Sequence, residues 1–164
     1  MTLKRILAAV VALAMSNDGA AQVRELVGAR FDARVTSVID GDTVDLIPAG
    51  EKRTIRVRLE GMDAPERGEP FNDAARRLTR VLVFDQRVRV EGRDVDRYGR
   101  LVARVIASGK DVSVELIRSG LACHYTRYSS DPLLAKSQAQ AQGEGQGFWA
   151  RSAAKPRCTR KPAR

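Results

Sequence analysis

The chain has 164 residues, a net charge of +9, 43% hydrophobic residues and 30% charged ones. That length holds one domain with a true hydrophobic core, and the composition excludes wholesale disorder. The charge is unevenly placed: +6 in Arg151–Arg164 and +1 in the first 21 residues leave only +2 for residues 22–150. A basic tail on a nearly balanced body points to an anionic partner, yet bulk charge alone is a weak argument for nucleic acid.

Basic Lys4-Arg5, an apolar run from Ile6 to Met15 and the small residues Gly19-Ala20-Ala21 read as a signal peptide over residues 1–21, cleaved after Ala21. The alternative is a buried N-terminal helix. The run is too short to span a bilayer, so the expectation is an exported protein, periplasmic or secreted, with no stable membrane association. In an oxidising compartment the two cysteines, Cys123 and Cys158, most simply form one disulfide. Two free buried thiols are the other option.

Residues 22–30 carry weak helical or linker character. Ala33, Val35 and Ser37 alternate with Arg34, Thr36 and Val38, predicting a half-buried strand from Phe31. Asp40-Gly41-Asp42 is a turn signal, and a second strand follows through Val44 and Leu46. In the third strand Ile55, Val57 and Leu59 share one face, while Arg56, Arg58 and Glu60 share the other. After a Gly/Pro loop, Phe71, Ala74, Ala75, Leu78 and Leu82 recur at helical spacing, predicting a helix over Phe71–Val83. Val88 and Val90 mark a fourth strand, residues 92–100 a polar loop, and Leu101–Ala107 a fifth strand. Asp111 caps a helix through Ile117, with Gly120 as its stop. Asp131-Pro132 opens another helix to about Gln142. Phe148-Trp149 is expected to fold back onto the core, and the chain from Arg151 onward reads as a flexible basic tail. The domain plan is therefore 1–21 leader, 22–150 folded domain and 151–164 tail. Five short strands with a helix between the third and fourth predict a mainly β protein with α (α+β): a five-stranded OB-type barrel with about three helices.

The chemistry concentrates between Val38 and Glu66. Calcium takes six to eight oxygen ligands. Asp42 and Asp63 supply carboxylates, and Pro65 fixes the direction of the Ala64 carbonyl, the proposed third ligand. Asp40 stands behind them, where it would orient bound water. Zinc is a poor candidate beside a set without cysteine or histidine. Arg58 and Arg100 suit the negative charge that builds up as a phosphodiester is broken. Glu66 is placed to take a proton from attacking water or to orient it.

Four motifs together, Asp-Gly-Asp-Thr at 40–43, Arg58 five residues before Asp63, Asp-Ala-Pro-Glu at 63–66 and Asp-Arg-Tyr-Gly-Arg at 96–100, resemble the staphylococcal nuclease (thermonuclease) family. The resemblance covers roughly Val35–Trp149. It implies an OB barrel with three helices, calcium-dependent hydrolysis of DNA and RNA by a metal-positioned water, 3′-phosphate ends, and a monomer. Carried over by position, Asp42, Asp63 and the Ala64 carbonyl are metal ligands, and Arg58, Glu66 and Arg100 the catalytic set. The family often has threonine at the position of Ala64, a mild change for a main-chain ligand. Tyrosines that flank the nucleotide in the family fall near Tyr125 and Tyr128, with Thr126 the alternative occupant of one of those positions, whereas Tyr98 reads as structural.

Each motif alone has a plainer reading: a hairpin turn, a loop, a solvated arginine. His124 reads as a neighbour of the disulfide or a surface residue, and Trp149 as core packing. Two rival functions stand beside the nuclease. One is a non-catalytic OB-fold nucleic-acid-binding module; the other is an exported basic protein that binds an anionic surface through its tail.

Overall fold

The computed structural model describes residues 18–159. Most of the expected leader therefore lies outside the described residues. Asp18–Glu25 forms helix α1, which runs through the expected cleavage point after Ala21. Among the described residues, no helix is long and apolar enough to cross a membrane.

Eight strands follow: β1 (Arg30–Val38), β2 (Thr43–Pro48), β3 (Ile55–Leu59), β4 (Met62–Asp63), β5 (Arg87–Val95), β6 (Leu101–Ala107), β7 (Lys110–Asp111) and β8 (Cys123–His124). Three further helices are α2 (Asn72–Val83), α3 (Val112–Arg118) and α4 (Pro132–Glu144). β3-β2-β1-β5-β6 are hydrogen-bonded in that order, and a parallel pairing of β3 with β6 closes the ring. The result is a closed five-stranded OB barrel, as expected, in an α+β protein. Alternation drives it: Val35, Val44, Leu46, Val57, Leu59, Val90, Leu101 and Ala103 all point inward and are fully buried. Ala75 and Val83 of α2, Leu116 and Ile117 of α3 and Leu134 of α4 join the same buried core. The Asp111 and Asp131 carboxylates accept N–H bonds at the starts of α3 and α4, as their sequence positions predict.

Two segments differ from the sequence reading. The polar loop expected over 92–100 is strand as far as Val95, with a bulge between Gly92 and Asp94. Gly92 reads locally as a breaker, but the backbone before β1 lies against it. A Cβ there would meet the Leu26 carbonyl oxygen, so the glycine marks close approach rather than a turn.

The second difference is the tail. Through Thr159 it is folded back instead of running free. Cys123 and Cys158 are disulfide-bonded with Cα atoms 5.9 Å apart. Pro156 is buried, and the Lys155 ammonium donates to the carbonyls of Phe148 and Ala150. Closing a loop of this separation, 35 residues, is worth roughly 4 kcal/mol on the chain-entropy account. Phe148 does turn back onto the core: it is fully buried, edge-on to Phe71 at 5.9 Å. Trp149 is half-buried, and its indole N–H has no hydrogen-bond partner among the described residues.

Candidate active site

The turn between β1 and β2 carries Asp40 and Asp42. Thr79 in α2 is buried and donates to the Gly41 carbonyl at 2.7 Å, pinning the turn. A Cβ on Gly41 would lie 2.7 Å from the Cβ of Ala64 and 2.8 Å from that of Ala75, so only glycine lets the turn sit this close. The loop after β4 is held from the other side, where Asn72 donates to the Pro65 carbonyl at 2.7 Å. These contacts bring the two acidic motifs together.

Asp42 is 4% exposed. One carboxylate oxygen accepts the Ala64 N–H at 3.0 Å; the other accepts the Thr43 hydroxyl at 3.0 Å and pairs with Arg58 at 2.6 Å. The same guanidinium reaches Asp63 at 3.0 Å and the Met62 carbonyl at 3.2 Å. Asp40 accepts the Asp42 N–H at 3.1 Å, which shapes the turn. Arg100 is held by Asp96, which accepts its side-chain Nε–H at 2.6 Å and its backbone N–H at 3.0 Å. Its outer nitrogen lies 3.4 Å from the Thr43 hydroxyl. Barrel closure explains the meeting. Arg58 is opposite Thr43 in β2 and opposite Val102 in β6, and Arg100 immediately precedes β6.

Electrostatics matches this crowding. Burial pushes the Asp42 carboxyl up to about 7, against the attraction of Arg58 and with a further push from Asp40. Burial also works against the charge on Arg58, but Asp42 and Asp63 outweigh it and hold the guanidinium above its usual range. Burial thus costs the carboxylate more than the pairing offsets, while the arginine stays charged. Two carboxyl groups face the single guanidinium of Arg58. Their donors are hard oxygens converging on one cationic group, which suits a divalent cation with oxygen preference. Among the described residues no cluster of three or more His, Cys, Asp or Glu side chains forms. A metal here would therefore take two carboxylates, with carbonyl, water and substrate oxygens completing the shell.

Glu66 lies just beyond, 58% exposed at its side chain. It meets Arg157 at 3.1 Å rather than the Arg58 pair. Glu69 bridges the same region, accepting the Glu66 N–H at 2.7 Å and the Arg157 N–H at 3.0 Å. Tyr125 and Tyr128 stack edge-on at 4.9 Å after β8, which pairs with β4 at Asp63. Tyr128 is exposed, and Tyr98 is too, with the Arg100 guanidinium 5.3 Å from its ring. His124 is buried beside the disulfide, its ring 3.3 Å from the Ser129 hydroxyl. Sequence reasoning assigned no role to Thr43, Asp96, Glu69 or Arg157. The first two sit inside quoted motifs, which was the available signal; Glu69 and Arg157 had none.

A sequence profile of the family described as "Staphylococcal nuclease homologue" matches residues 56–151. That is more than half of the chain. The chain belongs to the staphylococcal nuclease family. A Haemophilus influenzae protein named "uncharacterized endonuclease" is 36% identical over 117 residues, 71% of this chain and 65% of its own length. An Escherichia coli O157:H7 protein of the same name is 33% identical, covering 74% of this chain and 78% of that one. A "micrococcal nuclease" of Shigella flexneri is 33% identical over 132 residues, 74% of this chain and 75% of its own. The described fold and the family agree: both are a barrel of the OB type.

Proposed function

We infer that this chain is a nuclease, a hydrolase that cuts phosphodiester bonds of DNA and RNA with calcium as cofactor. The observation that carries the reading is the meeting of Asp42, Asp63, Arg58 and Arg100 at one barrel edge in a chain of this family. Asp42, Asp63 and the Ala64 carbonyl would hold calcium, which when bound supplies a hard Lewis acid against phosphate charge and lowers the pKa of nearby water.

The chain's own groups do the rest. Arg58 and Arg100 present two planar cations to the phosphate and bind it most strongly as negative charge accumulates in the transition state. Asp96 and Thr43 hold Arg100 in that orientation. Glu66 accepts the proton of the attacking water or orients that water. Water attacks phosphorus as its bond to the 5′ oxygen breaks. Arginine gives up a proton too reluctantly to serve as general acid, so solvent protonates that leaving oxygen, and the phosphate stays on the 3′ side. Asp40 supports the turn that carries Asp42. Tyr125 and Tyr128 flank the bound nucleotide. The disulfide and the basic leader support export to the periplasm or beyond, and the protein acts as a monomer.

Digestion of single- and double-stranded DNA and RNA, with calcium or with excess chelator, tests the reading. Calcium-dependent cutting supports it. Binding without cutting would instead make the barrel a nucleic-acid-binding module.

A further inference from the structure

Glu66 and Arg157 are 91 residues apart in sequence, yet a short closed circuit joins them. The Arg157 guanidinium donates to the Glu66 carboxylate at 3.1 Å, the Glu69 carboxylate accepts the N–H of Arg157 at 3.0 Å, and its other oxygen accepts the N–H of Glu66 at 2.7 Å. An ion pair as open as this one, with side chains 64% and 58% exposed, orders little by itself. The adjacent residue supplies what the pair lacks. Cys158 is bonded to Cys123, and Cys123 stands opposite Asp63 across the β4–β8 pairing. The bridge therefore fixes Arg157 within reach of the loop that runs from Asp63 to Glu69, at a high local concentration. Buried Pro156 on the preceding side completes the hold.

We propose that Arg157 is a positioning residue for Glu66, kept at the site by the Cys123–Cys158 disulfide. This rests on the nuclease reading above. The Arg157 segment is thereby part of the site rather than an appendage: it orients the carboxylate assigned above to the attacking water, and it does so only while the disulfide is closed. Being exposed, Arg157 can be replaced without threatening the core.

The test uses the full oxidised protein and its Arg157→Ala, Arg157→Lys and Cys123→Ser/Cys158→Ser variants. In steady-state cleavage of a DNA oligonucleotide with calcium, Arg157→Ala lowers kcat about tenfold with KM within about twofold, as expected for lost positioning rather than lost binding. Arg157→Lys restores part of the rate, and Arg157→Ala adds little in the protein without the disulfide. Independently of activity, the carbon-13 resonance of the Glu66 carboxylate moves both in Arg157→Ala and on reduction of the wild type. Unchanged kcat, a raised kcat, full additivity of the two changes, or an unmoved resonance would overturn the proposal. If the wild type cuts nothing in calcium, the nuclease reading fails, and the resonance still decides whether the disulfide places Arg157 on Glu66.

Discussion

Arg58 pairs with the buried carboxylate of Asp42 at 2.6 Å, so the guanidinium proposed to grip phosphate already faces an acid proposed to hold the cation. The two roles share one charge network, with Asp63 as its third member. On the proposed reading calcium would compete with Arg58 for the same acids, and its binding is expected to free Arg58 for substrate.

Asp42→Asn separates the metal role from the fold. The amide keeps the side chain's shape and one acceptor oxygen, enough for either the Ala64 N–H or the Thr43 hydroxyl, and carries no charge. If the site binds calcium as proposed, the wild-type protein is expected to gain about 2.7 kcal/mol of stability at a hundredfold excess over Kd. The variant keeps its cooperative unfolding without calcium and loses most of the calcium-induced rise in Tm. An equal rise in both proteins would remove Asp42 from the ligands.

Arg100→Ala tests the second cation. Its guanidinium is tied to Asp96 at the surface end of the network, and its loss leaves the core intact. The rate constant for cleavage falls on the order of 10²-fold or more while the far-ultraviolet spectrum and Tm stay close to wild type. Near-normal turnover would show that Arg58 manages the phosphate alone.

Much of this could be read along the chain, because the signals are local. Alternation marks β1, β2 and β3, and the caps at Asp111 and Asp131 announce α3 and α4. The acidic motifs and Arg58 lie within a stretch short enough for one hairpin to gather. What escaped depends on contacts made far away in sequence. At the bulge, Gly92 lies directly under the Leu26 carbonyl of the chain before β1, a close approach that no local pattern announces. The circuit from Glu66 to Arg157 needs barrel closure, the β4–β8 pairing and the disulfide all at once. No local pattern near Glu69 or Arg157 encodes it.

Asp96 gives a pH dependence. Burial, the largest influence, pushes its carboxyl up, but N–H bonds from Arg100 and Tyr98 outweigh it and hold the carboxyl below the ordinary 3.8. Its folded pKa is below its unfolded one, so the unfolded chain takes up the proton first. The stabilisation is fully present above the ordinary value and disappears as pH falls through the folded pKa. In urea unfolding, wild type exceeds Asp96→Asn at neutral pH, and the gap narrows as pH falls below the ordinary carboxyl value of 3.8. A gap that is constant over this range would remove Asp96 as the cause.

Gly41→Ala probes the approach of the two loops. The added methyl would lie under 3.0 Å from Ala64 and Ala75 Cβ atoms, both buried, so the turn must withdraw from the Ala64 loop. The expected cost is about 1–3 kcal/mol of stability. Calcium affinity falls with it, because Asp42 moves away from Asp63. Unaltered calcium titration in a destabilised variant would mean that the two acids do not share an ion.

Chelator-controlled digestion with analysis of the product ends separates a calcium nuclease from a binding barrel in one measurement. Purified, oxidised protein is given DNA and RNA with calcium, then with excess chelator. Cutting that requires calcium and leaves 3′-phosphate ends is the predicted result. Cutting undiminished by chelator would rule out the calcium site, and tight binding with every strand left whole would rule out the nuclease.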